Sequence, residues 1–226
     1  HVLRKAFGVR QGYLLGGLAG GLLSSTNVTW TFARLSTETP ALARPLAFGA
    51  VAANAMLYPR VLAATAVLNA PLVAVLAPYL VPAACVVALV ALVGAMQTPH
   101  DTGEPIPPGN GNPLQLWAAL QMALLFQGVL MLVHLARVTQ GATGVYTSAA
   151  VLGLTDVDAL TLSMARDVAR TLSLETAARA IAIGILANTL LKFVNAAVST
   201  ETDTRLLVVS VLIVAATVTT ALIAWG

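Results

Sequence analysis

Apolar residues run along this chain in long stretches separated by short polar intervals. The stretches span about 12–35, 42–68, 71–96, 114–138, 143–171, 175–199 and 205–225. Each is close to the roughly 20 residues that a helix needs to cross the hydrocarbon of a bilayer. The strict alternation of a strand is absent, and backbone exposed to lipid must satisfy its hydrogen bonds within its own segment. The pattern predicts an all-α fold: a polytopic transmembrane helical bundle of about seven segments. The stretch QTPHDTGEPIPPGNGNP, full of turn-forming residues, supplies a polar loop over 99–113.

The stretches also repeat. GLLSSTNVTWTFAR, from Gly21 to Arg34, aligns with GLTDVDALTLSMAR, from Gly153 to Arg166, at a spacing of 132 residues. Gly21/Gly153, Leu22/Leu154, Thr29/Thr161, Ala33/Ala165 and Arg34/Arg166 match, and Gly12 pairs with Gly144 at the same spacing. VAANAML around Asn54 resembles GILANTLL around Asn188, 134 residues on. The expected organisation is one membrane domain built by internal duplication. Its first unit covers 1–98, the loop 99–113, and the second unit 114–226. The first unit is one segment short, because HVLRKAFGVR aligns with the end of the fourth stretch, so a helix before His1 is expected. In each unit a glycine is followed by cap-forming residues, which predicts helices interrupted around Leu23–Thr26 and Leu152–Asp156.

Composition narrows the class. Of 226 residues, 58% are hydrophobic and 9% charged, where soluble domains carry about 25% charged residues. With a mean hydropathy of +0.85, the chain reads as a multi-pass membrane protein whose principal partner is the lipid bilayer. The net charge of +3 then belongs to helix ends and not to nucleic acid. Lysines and arginines fall on both sides of any alternating layout, so orientation stays open. The lone cysteine, Cys85, excludes an internal disulfide and is expected as a small packing residue.

Paired with GLLSST…AR, and each followed by an asparagine-bearing helix, GLTDVDALTLSMAR resembles a family of bacterial membrane proteins. These carry an MgtC/SapB-type N-terminal domain followed by a C-terminal membrane domain of unknown function. The resemblance is to that C-terminal domain and covers nearly the whole chain. It implies a bacterial inner (cytoplasmic) membrane location and, loosely, magnesium or acid-stress physiology, the latter belonging to the N-terminal domain.

The candidate chemistry lies in the repeated motifs. A charge at the bilayer centre costs at least about 2.5–3.5 kcal/mol, so Asp156 and Asp158 need a partner, water or protonation. Two positions apart, they point roughly 200° apart on a regular helix. Asp158 and Thr161 share a face, matched by Thr26 and Thr29 in the first unit. Ser24, Ser25, Thr26 and Thr29 add hydroxyl oxygens, and such oxygens with carboxylates suit hard cations. A purely structural role is also open, since Ser24 and Asp156 are both favoured N-caps and Asp158 would sit in a first helical turn. Asn54 and Asn188 either bond between helices or wall a central site. Lys192 shares a face with Asn188 and is expected either to neutralise Asp156 or Asp158 or to reach the interface. Arg60, after Pro59, is open to a carboxylate or to headgroups.

These residues point to a transporter or sensor of a small cation or proton, with a mid-membrane polar site at the repeat interface. The alternative is a non-catalytic subunit or scaffold within a larger membrane complex, with other subunits or further copies as partners. No HExxH, paired histidines or serine–histidine arrangement is present, so the chain does not read as an enzyme, and no cofactor is implied. The two aspartates are expected to face the protein interior or a water-filled cavity, never lipid.

Overall fold

In the computed structural model, residues 9–96, 131, 144–168 and 172–199 are described. The apolar stretches at 114–138 and 205–225 and the loop at 99–113 lie almost wholly outside these. The elements are α1 (Val9–Glu38), a 3-10 turn (Pro40–Leu42), α2 (Ala43–Ala55), α3 (Leu57–Leu68), α4 (Ala70–Met96), α5 (Gly144–Thr155), α6 (Val157–Asp167) and α7 (Leu174–Ser199). Among the described residues every regular element is helical.

Among the described residues, three stretches are long and apolar enough to cross a membrane: Pro40–Leu68, Ala70–Gly94 and Leu174–Val194, with Gly144–Thr155 apolar but shorter. These helices mark a membrane protein. Leu23, Val67, Leu89 and Leu92 lie open on the outside, an apolar surface that lipid accepts and water would penalise. Cys85 lies on the outside of α4 and does not pack in the interior as expected. The second stretch is one span in outline, but α2 ends at Ala55 and α3 starts at Leu57. Pro59 falls in the first turn of α3, where its missing N–H removes no helical bond. α4 runs on through Pro78 and Pro82.

The core joins the two halves of the chain. Val61 of α3, Leu72, Leu76 and Leu80 of α4, Leu160 and Met164 of α6, and Ile181 of α7 form one buried cluster. α1 packs on α2, α3 on α6, α4 on α7, and α1 on α7. A polar tie crosses the same boundary: Tyr79 Oη donates to Glu175 Oε1 at 2.5 Å, and Arg179 Nε donates to that oxygen at 2.7 Å.

Candidate functional site

Two helix breaks organise the polar residues. Ser24 leaves the helical region at φ −160° and ψ 103°, inside α1. Asp156, between α5 and α6, has φ −154° and ψ 104°. Both are extended backbone, and they stand 132 residues apart, as the aligned motifs do. Each break follows a glycine pressed against a neighbouring helix. A Cβ on Gly21 would collide with the Ala53 backbone, and one on Gly153 with the Gly184 backbone. The close approach brings polar groups of other helices within reach of the interrupted ends.

A break creates two orphaned ends: amides without acceptors where the helix restarts, and carbonyls without donors where it stopped. At Asp156 the restart is well satisfied. Its Oδ1 accepts from Asp158 N at 2.8 Å and from Ala159 N at 3.0 Å, so Asp156 is the N-cap of α6. Ser24 Oγ accepts one bond, from Asn27 N at 3.3 Å.

The stopped ends differ in the opposite sense. At the first break Arg60, from α3, places Nη1 against three carbonyls: Gly21 O at 3.1 Å, Leu22 O at 3.2 Å and Leu23 O at 3.0 Å. A guanidinium is suited to this, because it is permanently charged and its donors form a fixed fork. Its Nη2 reaches the other half of the chain and pairs with Asp158 Oδ2 at 3.0 Å. One side chain therefore ties both breaks together. At the second break a neutral amide takes that place, with Asn188 Nδ2 donating to Gly153 O at 3.0 Å.

Lys192 departs from expectation. It neither bonds an aspartate directly nor reaches an interface. It is 1% exposed, and its Nζ donates to Ser25 Oγ at 2.8 Å and to Asn54 Oδ1 at 3.0 Å. The network continues from Asn54 Nδ2 to Thr29 Oγ1 at 3.0 Å and to Ala50 O at 2.9 Å. Thr29 Oγ1 donates back along its own helix to Ser25 O at 2.8 Å. This arrangement joins α1, α2 and α7 through a buried ammonium held by neutral oxygens.

The other candidates divide. Thr161, like its counterpart Thr29, is buried and donates to the carbonyl four residues back, Val157 O, at 2.8 Å. It is turned inward, while the Asp158 side chain is half-exposed. Thr26 is half-buried and outside the network. A cavity of about 650 Å³ opens beside Arg60, walled by Leu22, Met56, Pro59 and Val67; neither aspartate lines it. Among the described residues no three acidic, histidine or cysteine side chains gather as metal ligands. Sequence reasoning missed the cap that Arg60 puts on the first break. The one available signal was an arginine directly after a proline inside an apolar stretch.

An uncharacterised protein of Aquifex aeolicus (strain VF5) is 25% identical over 180 residues, which cover 79% of this chain and 78% of that relative. No solved structure matches the chain. A family model described as a domain of unknown function, DUF4010, matches residues 1–200, and the chain belongs to that family.

Proposed function

We propose that this chain is a multi-pass transport module of a bacterial inner membrane that exchanges a proton, coupled to a small cation, at a site between two duplicated units. In this reading the units are residues 1–98 and 114–226, and the site is the region between the breaks at Ser24 and Asp156. The MgtC/SapB-type association belongs to the same proposal. Interrupted helices paired across repeats are a recurrent way to build a mid-membrane ion site, because their ends present uncancelled partial charges.

The observation that carries the reading is Lys192. An ammonium at 1% exposure, bonded to a hydroxyl and an amide oxygen of the other half of the chain, is expensive to maintain. Burying an ammonium without a carboxylate partner carries a desolvation cost that two hydrogen bonds to neutral oxygens only partly offset, so packing does not account for it. Ionisable groups inside a membrane bundle mark ion or proton pathways. The Arg60–Asp158 pair lies at the same boundary and supplies a charge link that a transport cycle can break and remake.

The test is flux. Full-length protein is reconstituted in liposomes holding a pH-sensitive dye, and a gradient of an alkali cation is imposed. The wild-type protein is expected to move protons in response. Lys192→Met is expected to fold and to lose at least about tenfold in rate, a factor worth about 1.4 kcal/mol at the barrier. Asp158→Asn, which removes the charge of the pair, is expected to slow flux as well. Unchanged flux in Lys192→Met sinks the proton role, and a wild-type protein with no flux under any gradient favours the scaffold reading.

A further inference from the structure

We infer that the carbonyl end of α5 is a binding site for a monovalent alkali cation, with Asn188 as its side-chain ligand, at the position Arg60 fills in the first half of the chain. The inference deepens the proposed function and rests on its matching of the two units.

The first break shows what such an end requires. The carbonyls of Gly21, Leu22 and Leu23 converge on one cationic group, Nη1 of Arg60. A helix C-terminus carries about half a negative charge, so a cation there is stabilised. The residues 132 positions on are Gly153, Leu154 and Thr155. The residue aligned with Arg60, 134 positions on, is Val194, which has no charge to offer. The second end has the same backbone break without the resident cation.

Its oxygens are available. In a continuous helix the carbonyls of Leu154 and Thr155 would receive the amides of Asp158 and Ala159. Those amides are instead held by Asp156 Oδ1 at 2.8 and 3.0 Å. Leu152 O, by contrast, is taken, by Asp156 N at 2.7 Å and Thr155 Oγ1 at 2.9 Å. Asn188 provides the independent sign of a ligand. Its Nδ2 is fixed on Gly153 O, which places the amide at the break, and its Oδ1 is buried with no partner. The residue is 3% exposed. A buried acceptor left unmet is costly, and native structures normally satisfy it.

The ligand chemistry selects the ion. Amide and backbone carbonyl oxygens suit hard cations. The nearest carboxylates are committed, Asp158 to Arg60 and Asp156 to capping α6. Neutral oxygens at a half-helix end carry only about half a negative charge, which a single positive charge matches better than two. The Lys192 ammonium does not occupy the place, being bonded to Ser25 and Asn54 across the boundary. Leu154 and Thr155 are exposed, which leaves the end open to entry.

The experiment measures thermal unfolding of the full-length protein in detergent, in LiCl, NaCl or KCl, with choline chloride holding ionic strength constant. One alkali cation is expected to raise the midpoint progressively between about 1 and about 100 mM, as a ligand specific to the folded state does. The rise is expected to vanish in Asn188→Leu. Val194→Arg supplies a resident guanidinium and is expected to fold with its midpoint insensitive to the cation. Equal shifts with choline, no shift with any alkali ion, or an ion-specific shift that survives both substitutions would overturn the site; an unmet Asn188 acceptor filled by water alone gives the second of these. Absence of any alkali-cation effect in the wild-type protein, with Lys192-dependent flux intact, refutes this site and spares the proton reading, and the converse result does the reverse.

Discussion

The breaks at Ser24 and Asp156 share a backbone geometry and are stabilised in opposite ways. At Ser24 the restarting helix has a weak cap, one bond of 3.3 Å from a neutral hydroxyl, and the stopped end has a strong one, the charged Arg60 on three carbonyls. At Asp156 the restarting helix has a carboxylate cap with two short bonds, and the stopped end has a neutral amide. Hydrogen bonds to charged groups are worth about 1.5–3 kcal/mol, against about 0.5–1.5 for neutral ones. Each break therefore places its single charged cap at a different end. The same bend is held in both cases, while the first keeps a fixed cation at its carbonyls and the second keeps a fixed anion at its amides.

Removing Arg60 should disturb the comparison most. Arg60→Gln strips the charge from three carbonyls and breaks the pair with Asp158, and is expected to lower stability by about 1.5–3 kcal/mol. Chemical denaturation of the detergent-solubilised protein measures this. A loss no larger than that of a surface substitution would show that the first break holds itself without the guanidinium.

The cap at the second break should matter next. Asp156→Ala is expected to cost about 1 kcal/mol, and Asp156→Asn only a few tenths, since asparagine caps as well as aspartate. If Asp156→Asn is as damaging as Asp156→Ala, the charge of Asp156 does more than cap, and the resemblance between the breaks is structural only. The smallest effect belongs to Ser24→Ala, expected near the low end of capping losses, about 0.5 kcal/mol. Hydrogen exchange at Asn27 is a sensitive readout of it. Ser24→Asp should strengthen this cap and bring the first break closer to the second. Should Ser24→Ala prove as costly as Asp156→Ala, the contrast in bond number and length carries no energetic meaning.

Much of the frame was readable along the chain. Long apolar stretches with few charges specify membrane helices, because hydrocarbon admits backbone only when it is hydrogen-bonded internally. A glycine followed by serine or aspartate, twice at one spacing, located the breaks at Ser24 and Asp156. Glycine permits close helix approach, and a short polar side chain satisfies the amides of a restarting helix; both are local effects. The pairing of Arg60 with a carboxylate was one of two outcomes its surroundings allowed.

The identity of the partners was decided elsewhere. Lys192 is within one helical turn of Asn188, and spacing alone offered it the aspartates or the interface. Packing of α7 against α1 instead delivered its ammonium to Ser25, 167 residues away, and to Asn54, 138 residues away. Asp158 and Thr161 share a face by spacing, yet the contact of α6 with α3 and α7 buries Thr161 and leaves Asp158 at the edge, beside Arg60. Sequence determines where a helix can start, stop and stay in a membrane, because those depend on bonds within a few residues. Which charge meets which oxygen depends on how helices distant in sequence cross, and the tertiary structure decided that through the close contacts at Gly21 and Gly153 and the shared apolar core.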